Sequence, residues 1–209
     1  MEFSGASGEH VSIAKQPTIL GILSDSHGRG ERTTRAIEML RTLGATQFAY
    51  CGDVCGESVL DALAGQPVTM VWGNNDIGER SLYDYARVVG LATPSVAPAM
   101  LELGGRKLAI FHGHEEAFAK VYRAATRDDI ALIDRLIGGA RIVLYGHTHL
   151  AADDQIGPLR FINPGALQRA SVYTVATLEM GTQLVRFWVV DDYARPGGAP
   201  SEFVVRTRG

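Results

Sequence analysis

The sequence predicts an α/β fold in which two β-sheets pack into a sandwich flanked by helices. Two patterns indicate this fold. Apolar runs without helical periodicity alternate with helix-like segments in the first part of the chain, and helical periodicity is absent after Leu150. The chain has 209 residues, of which 46% are hydrophobic, so it is long enough to bury a core. We expect one domain over residues 17–209.

The first part of the chain is typical of repeated strand–helix units. Short apolar runs predict buried strands over residues 18–24, 47–50 and 68–72. The helices expected beside them cover residues 36–43, 58–64 and 80–89. In the second of these helices, Ser58 is the expected N-cap and Gly65 follows the last residue. Strands that alternate with helices run parallel, so the polar residues that follow each strand should gather at one edge of the sheet.

The middle of the chain predicts a hairpin followed by helices. Strands over residues 99–103 and 107–111 flank a Gly104-Gly105 turn. The further elements expected here are helices over residues 115–125 and 128–137 and a buried strand over residues 141–145.

The last part of the chain predicts strands only. Short apolar runs separated by turn residues indicate antiparallel strands of the second sheet. They cover residues 152–156, 159–162, 172–178 and 183–190, with a last strand over residues 202–206.

Composition excludes several classes of protein. The net charge is −3, so the chain has no basic footprint for nucleic acid. No apolar stretch approaches the roughly 20 residues that a membrane span needs. Residues 1–16 lack the basic start and apolar middle of a signal peptide, and we interpret them as a disordered extension.

The two cysteines, Cys51 and Cys55, are too few for a disulfide framework. We therefore expect a cytoplasmic, reduced protein. Both thiols flank the Gly52-Asp53 pair, where they could be redox-sensitive or bind metal. The alternative is that they are small buried apolar residues.

Histidines and carboxylates cluster after the predicted strands. Five of the six histidines lie in three blocks that each follow an apolar run. These blocks are Ser24-Asp25-Ser26-His27-Gly28, His112-Gly113-His114 and Gly146-His147-Thr148-His149. Between the first and second lie Gly52-Asp53 and Gly73-Asn74-Asn75-Asp76. Nitrogen and oxygen donors of this kind bind divalent metals, so the pattern predicts a metal site.

In this order, the blocks resemble the signature of the calcineurin-like metallophosphoesterase family. The resemblance runs from about Ile19 to Arg169, and its Asp-Ser-His-Gly opening and Asn163-Pro164-Gly165 block look like the small bacterial and archaeal phosphodiesterases. It implies the two-sheet fold and a phosphodiesterase that uses a dinuclear metal centre and a metal-bound hydroxide. Manganese is the expected metal, with iron, nickel and zinc as alternatives, and the substrate is a small phosphoester. A homo-oligomer is left open.

The resemblance also implies the site residues. The first metal would be held by Asp25, His27 and His149, the second by Asn74, His112 and His147, with Asp53 bridging them. Catalytic roles fall to Asp53, Asn74 and His114. His114 could meet a substrate phosphate oxygen or only hydrogen-bond a ligand. By the same resemblance Asp76 would orient the groups around it, while Asn163 could do so or simply form a turn.

One position departs from the family pattern. Many members have a histidine where this chain has Asn75, and that histidine is thought to protonate the leaving oxygen. An asparagine amide cannot transfer a proton near neutral pH, so we expect good leaving groups to be favoured. The alternatives are a non-catalytic scaffold of the same fold and a phosphomonoesterase or protein phosphatase. Against protein phosphatases, the Gly52-Asp53-Val54-Cys55-Gly56 segment lacks their arginine.

Overall fold

The structure is a computed structural model that describes residues 17–92, 96–193 and 198–205. Within these ranges the chain forms eleven strands and six helices. The strands are β1 (Ile19–Leu23), β2 (Ala45–Cys51), β3 (Val68–Val71), β4 (Ala99–Leu103), β5 (Arg106–Ile110), β6 (Ile142–Leu144), β7 (Ala151–Ile156), β8 (Leu159–Pro164), β9 (Thr174–Glu179), β10 (Val185–Val189) and β11 (Ser201–Phe203). The helices are α1 (Gly30–Thr42), α2 (Glu57–Leu63), α3 (Arg80–Val88), α4 (Glu116–Ala125), α5 (Ile130–Ile137) and α6 (Val190–Tyr193).

The strands form two mixed sheets. The first has the order β11-β10-β9-β1-β2-β3 and the second the order β4-β5-β6-β8-β7. In the first sheet β1, β2 and β3 run parallel, and in the second β5, β6 and β8 do so. The predicted two-sheet α/β sandwich is therefore confirmed.

The prediction that all strands after Leu150 form one antiparallel sheet is wrong. Only β7 and β8 enter the second sheet, where β8 runs parallel to β6. The other three, β9, β10 and β11, extend the first sheet, with β9 antiparallel to β1. Apolar alternation identifies a strand from its own residues, whereas its neighbour depends on distant parts of the chain.

Three apolar layers hold the sandwich together, because alternate side chains of a strand face opposite sides of its sheet. In β1, Leu20 and Ile22 point into the layer between the sheets, while Leu23 points outward to the layer covered by α1 and α2. On the outer face of the second sheet, α4 and α5 cover a third layer that includes Phe111 and Phe161. Burial on both faces explains why the parallel strands are almost continuously apolar.

Most predicted elements match observed ones to within a few residues, and three details differ. Helix α1 begins at Gly30, well before the predicted start at residue 36. Helix α2 begins at Glu57, and the Ser58 hydroxyl makes no N-cap bond but donates to the Gly28 carbonyl at 3.2 Å. The segment predicted as a strand over residues 183–190 ends at Val189 and turns into α6. The disordered extension predicted over residues 1–16 lies outside the described residues. Within the described ranges, the helices are too short or too polar to cross a bilayer.

Candidate metal centre

The predicted site residues follow strands of both sheets and meet at one end of the sandwich. Asp25 and His27 follow β1, Asp53 follows β2 and Asn74 follows β3, all in the first sheet. In the second sheet, His112 follows β5, and His147 and His149 follow β6. Because these strands are parallel within each sheet, their carboxyl ends bring all seven side chains to one edge.

The first group of ligands is compact. One ligand atom each from Asp25, His27, Asp53 and His149 all lie within 4.8 Å of one another. His149 Nε2 is 3.2 Å from both His27 Nε2 and Asp25 Oδ1. Ligands with bonds of 2.0 to 2.2 Å to one ion lie roughly 2.8 to 3.6 Å apart, from octahedral to tetrahedral geometry. Both distances from His149 Nε2 therefore fit a shared cation.

The second group is joined to the first through Asp53. His112 Nε2 is 3.1 Å from Asn74 Oδ1 and 3.5 Å from Asp53 Oδ2. The same Asp53 oxygen is 3.6 Å from His27 Nε2. The other ring nitrogen of His112 lies 2.7 Å from the Cys51 carbonyl oxygen, which directs Nε2 toward Asp53.

His147 is placed less tightly than the other six. Its ring lies beside that of His112, with centroids 5.0 Å apart, and its side chain is exposed. Its backbone N–H donates to Asp25 Oδ2 at 3.0 Å. Within the described chain, no hydrogen bond or ion pair joins its ring to Asn74 or Asp53.

Asp25 provides the test of whether this donor set fits a cation. The residue is fully buried, and its Oδ2 accepts hydrogen bonds from the Ser24 hydroxyl at 2.5 Å and from the His147 N–H. Its Oδ1 is buried and has no hydrogen-bond partner in the described part of the chain. Buried carboxylate oxygens are normally satisfied, so an open one beside two imidazoles fits a divalent cation.

The electrostatics of the group also favour positive charge. Burial would raise the pKa of Asp53, but hydrogen bonding with His112 and Asn75 holds that pKa well below its usual range. Burial would lower the pKa of His112, but the carboxylates of Asp53 and Asp25 outweigh the effect of burial and raise that pKa. Asp25 likewise raises the pKa of His149. Two buried carboxylates thus create a negative field at the centre of the group.

Unusual backbone geometry accompanies the site. Five of the seven predicted ligands have positive φ: +55° at Asp25, +42° at His27, +58° at Asp53, +67° at His147 and +59° at His149. Left-handed backbone at non-glycine residues costs about 1 to 3 kcal/mol and concentrates at functional sites. Here it allows the chain to turn sharply after β1, β2 and β6, so the side chains converge.

Comparison with known proteins identifies the family. The sequence profile of the calcineurin-like phosphoesterase superfamily domain matches residues 19–183. The chain belongs to the calcineurin-like phosphoesterase superfamily. It is 28% identical over 176 residues to a probable metallophosphoesterase of Bacillus subtilis, covering 80% of this chain and 88% of that protein. It is 25% identical over 149 residues to a phosphodiesterase of Methanocaldococcus jannaschii, covering 70% of this chain and 82% of that protein.

Similarity of structure agrees with the sequence comparisons. A solved archaeal phosphodiesterase superposes with a TM-score of 0.66 at 23% identity, covering 82% of this chain and 99% of the other. The predicted family and fold are confirmed, as is the predicted enzyme class, a metallophosphoesterase that acts on phosphoester bonds.

Three side chains of this phosphoesterase orient the groups around the predicted ligands. Both Asp76 oxygens accept backbone hydrogen bonds, from Gly73, Val54 and Cys55, at 2.8 to 3.0 Å. The Asn163 amide donates to the Gly146 carbonyl at 2.7 Å and accepts from the Gly165 N–H at 2.9 Å. Asn163 therefore orients the His147 turn and also forms a turn of its own.

Glu115 is the third, and sequence reasoning missed it. Its carboxylate accepts the backbone N–H of His112 at 2.8 Å and that of Gly113 at 2.7 Å. This fixes the turn that presents His112. An acidic residue at the first position of a predicted helix and just after a histidine block was the available signal.

Two further residues of the phosphoesterase, His114 and Asn75, lie beside the predicted ligands. His114 Nδ1 is buried without a hydrogen-bond partner among the described residues, and it lies 3.9 Å from a Glu115 oxygen. The His114 ring lies beside that of His112, with centroids 5.4 Å apart and the ring planes tilted by 60°. The Asn75 amide donates to Asp53 Oδ2 at 2.6 Å, and its backbone N–H donates to Asp53 Oδ1 at 3.0 Å. Asn75 thus contacts the carboxylate that joins the two groups.

The cysteines of the phosphoesterase differ from one another in environment. Cys51 is buried between the sheets, and burial raises the pKa of its thiol. Cys55 Sγ lies 3.6 Å from His27 Nδ1, and burial raises its pKa to about 12. Cys55 also approaches Asp53 and Asp76, but both Asp76 oxygens are already hydrogen-bonded. Burial and the neighbouring carboxylates of Asp76 and Asp53 thus favour the protonated thiol.

Proposed function

We propose that this chain is a phosphodiesterase with two divalent cations, held by Asp53 and six other ligands. The first cation would bind Asp25, His27 and His149, and the second Asn74, His112 and His147. One observation supports this most strongly. The single oxygen Asp53 Oδ2 lies 3.6 Å from His27 and 3.5 Å from His112, so one atom faces both ligand groups.

Two bound cations would supply the main chemistry: they hold the phosphoryl group, activate water and offset charge during in-line displacement. The chain's own residues have supporting roles. Asp53 would lie between the two groups of ligands and set the distance between them. Glu115 and Asn163 hold the backbone next to His112 and His147 in position. His114, whose ring lies beside those of His112 and His147, would hydrogen-bond to a phosphoryl oxygen.

Asn75 supports a preference for diesters with good leaving groups. Its amide is occupied by Asp53 and has no proton to transfer near neutral pH. An ester whose leaving oxygen departs without protonation would therefore react fastest. The matched phosphodiesterase of Methanocaldococcus jannaschii supports the same substrate class.

We further propose manganese as the working metal and the cytoplasm as the compartment. Mixed imidazole, carboxylate and amide donors suit manganese, with iron, nickel and zinc as competitors. Both cysteines are free, as expected in a reducing compartment.

The test combines metal analysis with a substrate comparison. The purified chain is stripped with chelator, reloaded with manganese, and assayed on bis(p-nitrophenyl) phosphate and p-nitrophenyl phosphate. We expect close to two ions per chain and faster hydrolysis of the diester. One ion or fewer with full activity would contradict the two-metal proposal. Two ions without hydrolysis of either substrate would instead favour the scaffold.

A further inference from the structure

A cavity of about 350 Å³ opens beside His149, at the edge of the candidate metal centre. It lies between the start of β7, the loop of residues 165–173 that joins β8 to β9, and β11. Ligand sites in proteins occupy about 300 to 1,000 Å³, so this cavity suits one compact chemical group.

Part of the cavity wall is apolar and exposed. Leu150 is 70% exposed and Val172 is 38% exposed, and Phe203 of β11 also lines the cavity. Leu150 follows His149 directly in the chain, so the apolar part of the cavity wall lies next to a predicted metal ligand. Exposed apolar side chains grouped around a cavity mark binding sites.

Arg169 adds an unpaired positive charge at the same place. Its backbone carbonyl accepts from His149 Nδ1 at 3.2 Å, and its φ is +58°, so the residue is held against the predicted ligand. Its guanidinium makes no hydrogen bond or ion pair with any other described residue.

We propose that this cavity binds an aromatic ester group of the substrate while the Arg169 guanidinium holds a phosphoryl oxygen. The inference rests on the proposed phosphodiesterase function and names its substrate class, phosphoesters with one aromatic substituent. Arginine suits the polar part because its planar donors match phosphate oxygens. Leu150, Val172 and Phe203 provide apolar contacts for the ring.

An arginine in a larger cavity, distant from the metal centre, provides the control for removing the charge of Arg169. The cavity measures about 580 Å³ and lies at the amino ends of β5, β6 and β8, the opposite end of the strands from the histidines. Its Arg106 donates to the Met180 carbonyl at 3.2 Å. Replacement of Arg106 therefore removes one positive charge far from the metal centre.

The experiment measures binding of phenylphosphonate and methylphosphonate to the manganese-loaded chain by calorimetry. We expect phenylphosphonate to bind about 10-fold more tightly, from the apolar area that its ring buries. In Leu150→Ser and Val172→Ser the preference should fall several-fold. Val88→Ser, whose side chain is 80% exposed on α3, should keep the preference.

Arg169 is tested in the same assay. Arg169→Ala should weaken the binding of both phosphonates about 10-fold without changing the ratio of their dissociation constants. Arg169→Lys should recover part of the lost affinity. Arg106→Ala should bind both phosphonates as the wild type does. Equal binding of the two phosphonates by a manganese-loaded wild-type chain would overturn the cavity proposal alone. A chain that binds no manganese yet prefers phenylphosphonate would overturn the two-metal proposal alone. Binding of neither manganese nor phosphonate would overturn both.

Discussion

The Nε2 atoms of His27 and His149 lie 3.2 Å apart, although the two residues are separated by 122 positions and follow strands of different sheets. Two ring nitrogens approach this closely only when a proton or a cation lies between them. Asp25 Oδ1, which is buried and has no hydrogen-bond partner in the described chain, lies 3.2 Å from His149 Nε2. This arrangement joins the two sheets at the candidate centre and leads to the predictions below.

Metal binding should stabilise the fold. A ligand at 100 times its dissociation constant contributes about 2.7 kcal/mol, which corresponds to roughly 5 to 10 °C in Tm for a chain of this length. We expect chelator to lower the Tm by that amount and manganese to restore it, as measured by calorimetry. Asp25→Asn should reduce the manganese-dependent shift. An equal shift in wild type and Asp25→Asn would mean that Asp25 does not bind the metal.

Substitutions of Asp53 and Asp76 should have different effects, the first mainly on kcat and the second mainly on the free energy of unfolding. Asp53→Asn should reduce kcat far more than Asp76→Asn, because only the Asp53 carboxylate faces both ligand groups. Asp76→Asn should lower the free energy of unfolding by about 1 to 3 kcal/mol, because Asp76 accepts three backbone N–H groups. Urea unfolding and steady-state kinetics on both variants check this. Comparable losses of kcat in two well-folded variants would contradict the bridging role.

Asn75 should control the choice of leaving group. General acid catalysis is worth about 10² to 10⁴-fold, and it matters most for poor leaving groups. Asn75→His should therefore raise kcat/KM for alkyl esters more than for aryl diesters, with Asn75→Ala as the control that removes the amide. An unchanged ratio in a variant that retains its metal would show that position 75 does not face the leaving oxygen.

Gly52 should be essential for the position of His112. Its φ is +91°, and an added Cβ would lie 2.7 Å from His112 Nδ1 and 2.8 Å from the Gly73 nitrogen. Gly52→Ala should be about 1 to 3 kcal/mol less stable than Gly65→Ala in urea unfolding. Gly65 is the matched control, since its φ is +70° and a Cβ there would meet nothing within 4 Å. Equal stability of the two variants would mean that the turn can yield without cost.

The sequence was sufficient to predict the elements and the types of site residue. Apolar periodicity is a local property, so β1, β2, β3 and the helices between them were predicted to within a few residues, apart from the early start of α1 at Gly30. The histidine and aspartate blocks also predicted a metal site, because parallel strands bring the residues at their carboxyl ends together.

Tertiary structure alone decided how these parts combine. The pairing of β9 with β1 and of β8 with β6 depends on contacts between distant segments, which apolar alternation does not encode. The left-handed backbone at Asp25 and Asp53 belongs to the turns that follow β1 and β2; aspartate adopts this conformation more readily than most non-glycine residues, but it still does so at only a minority of positions. The placement of Arg169 against His149 likewise requires the loop between β8 and β9 to pass from one sheet to the other. The sequence specifies the chemical groups at each position, whereas the distances between the groups of a site depend on how the whole chain packs.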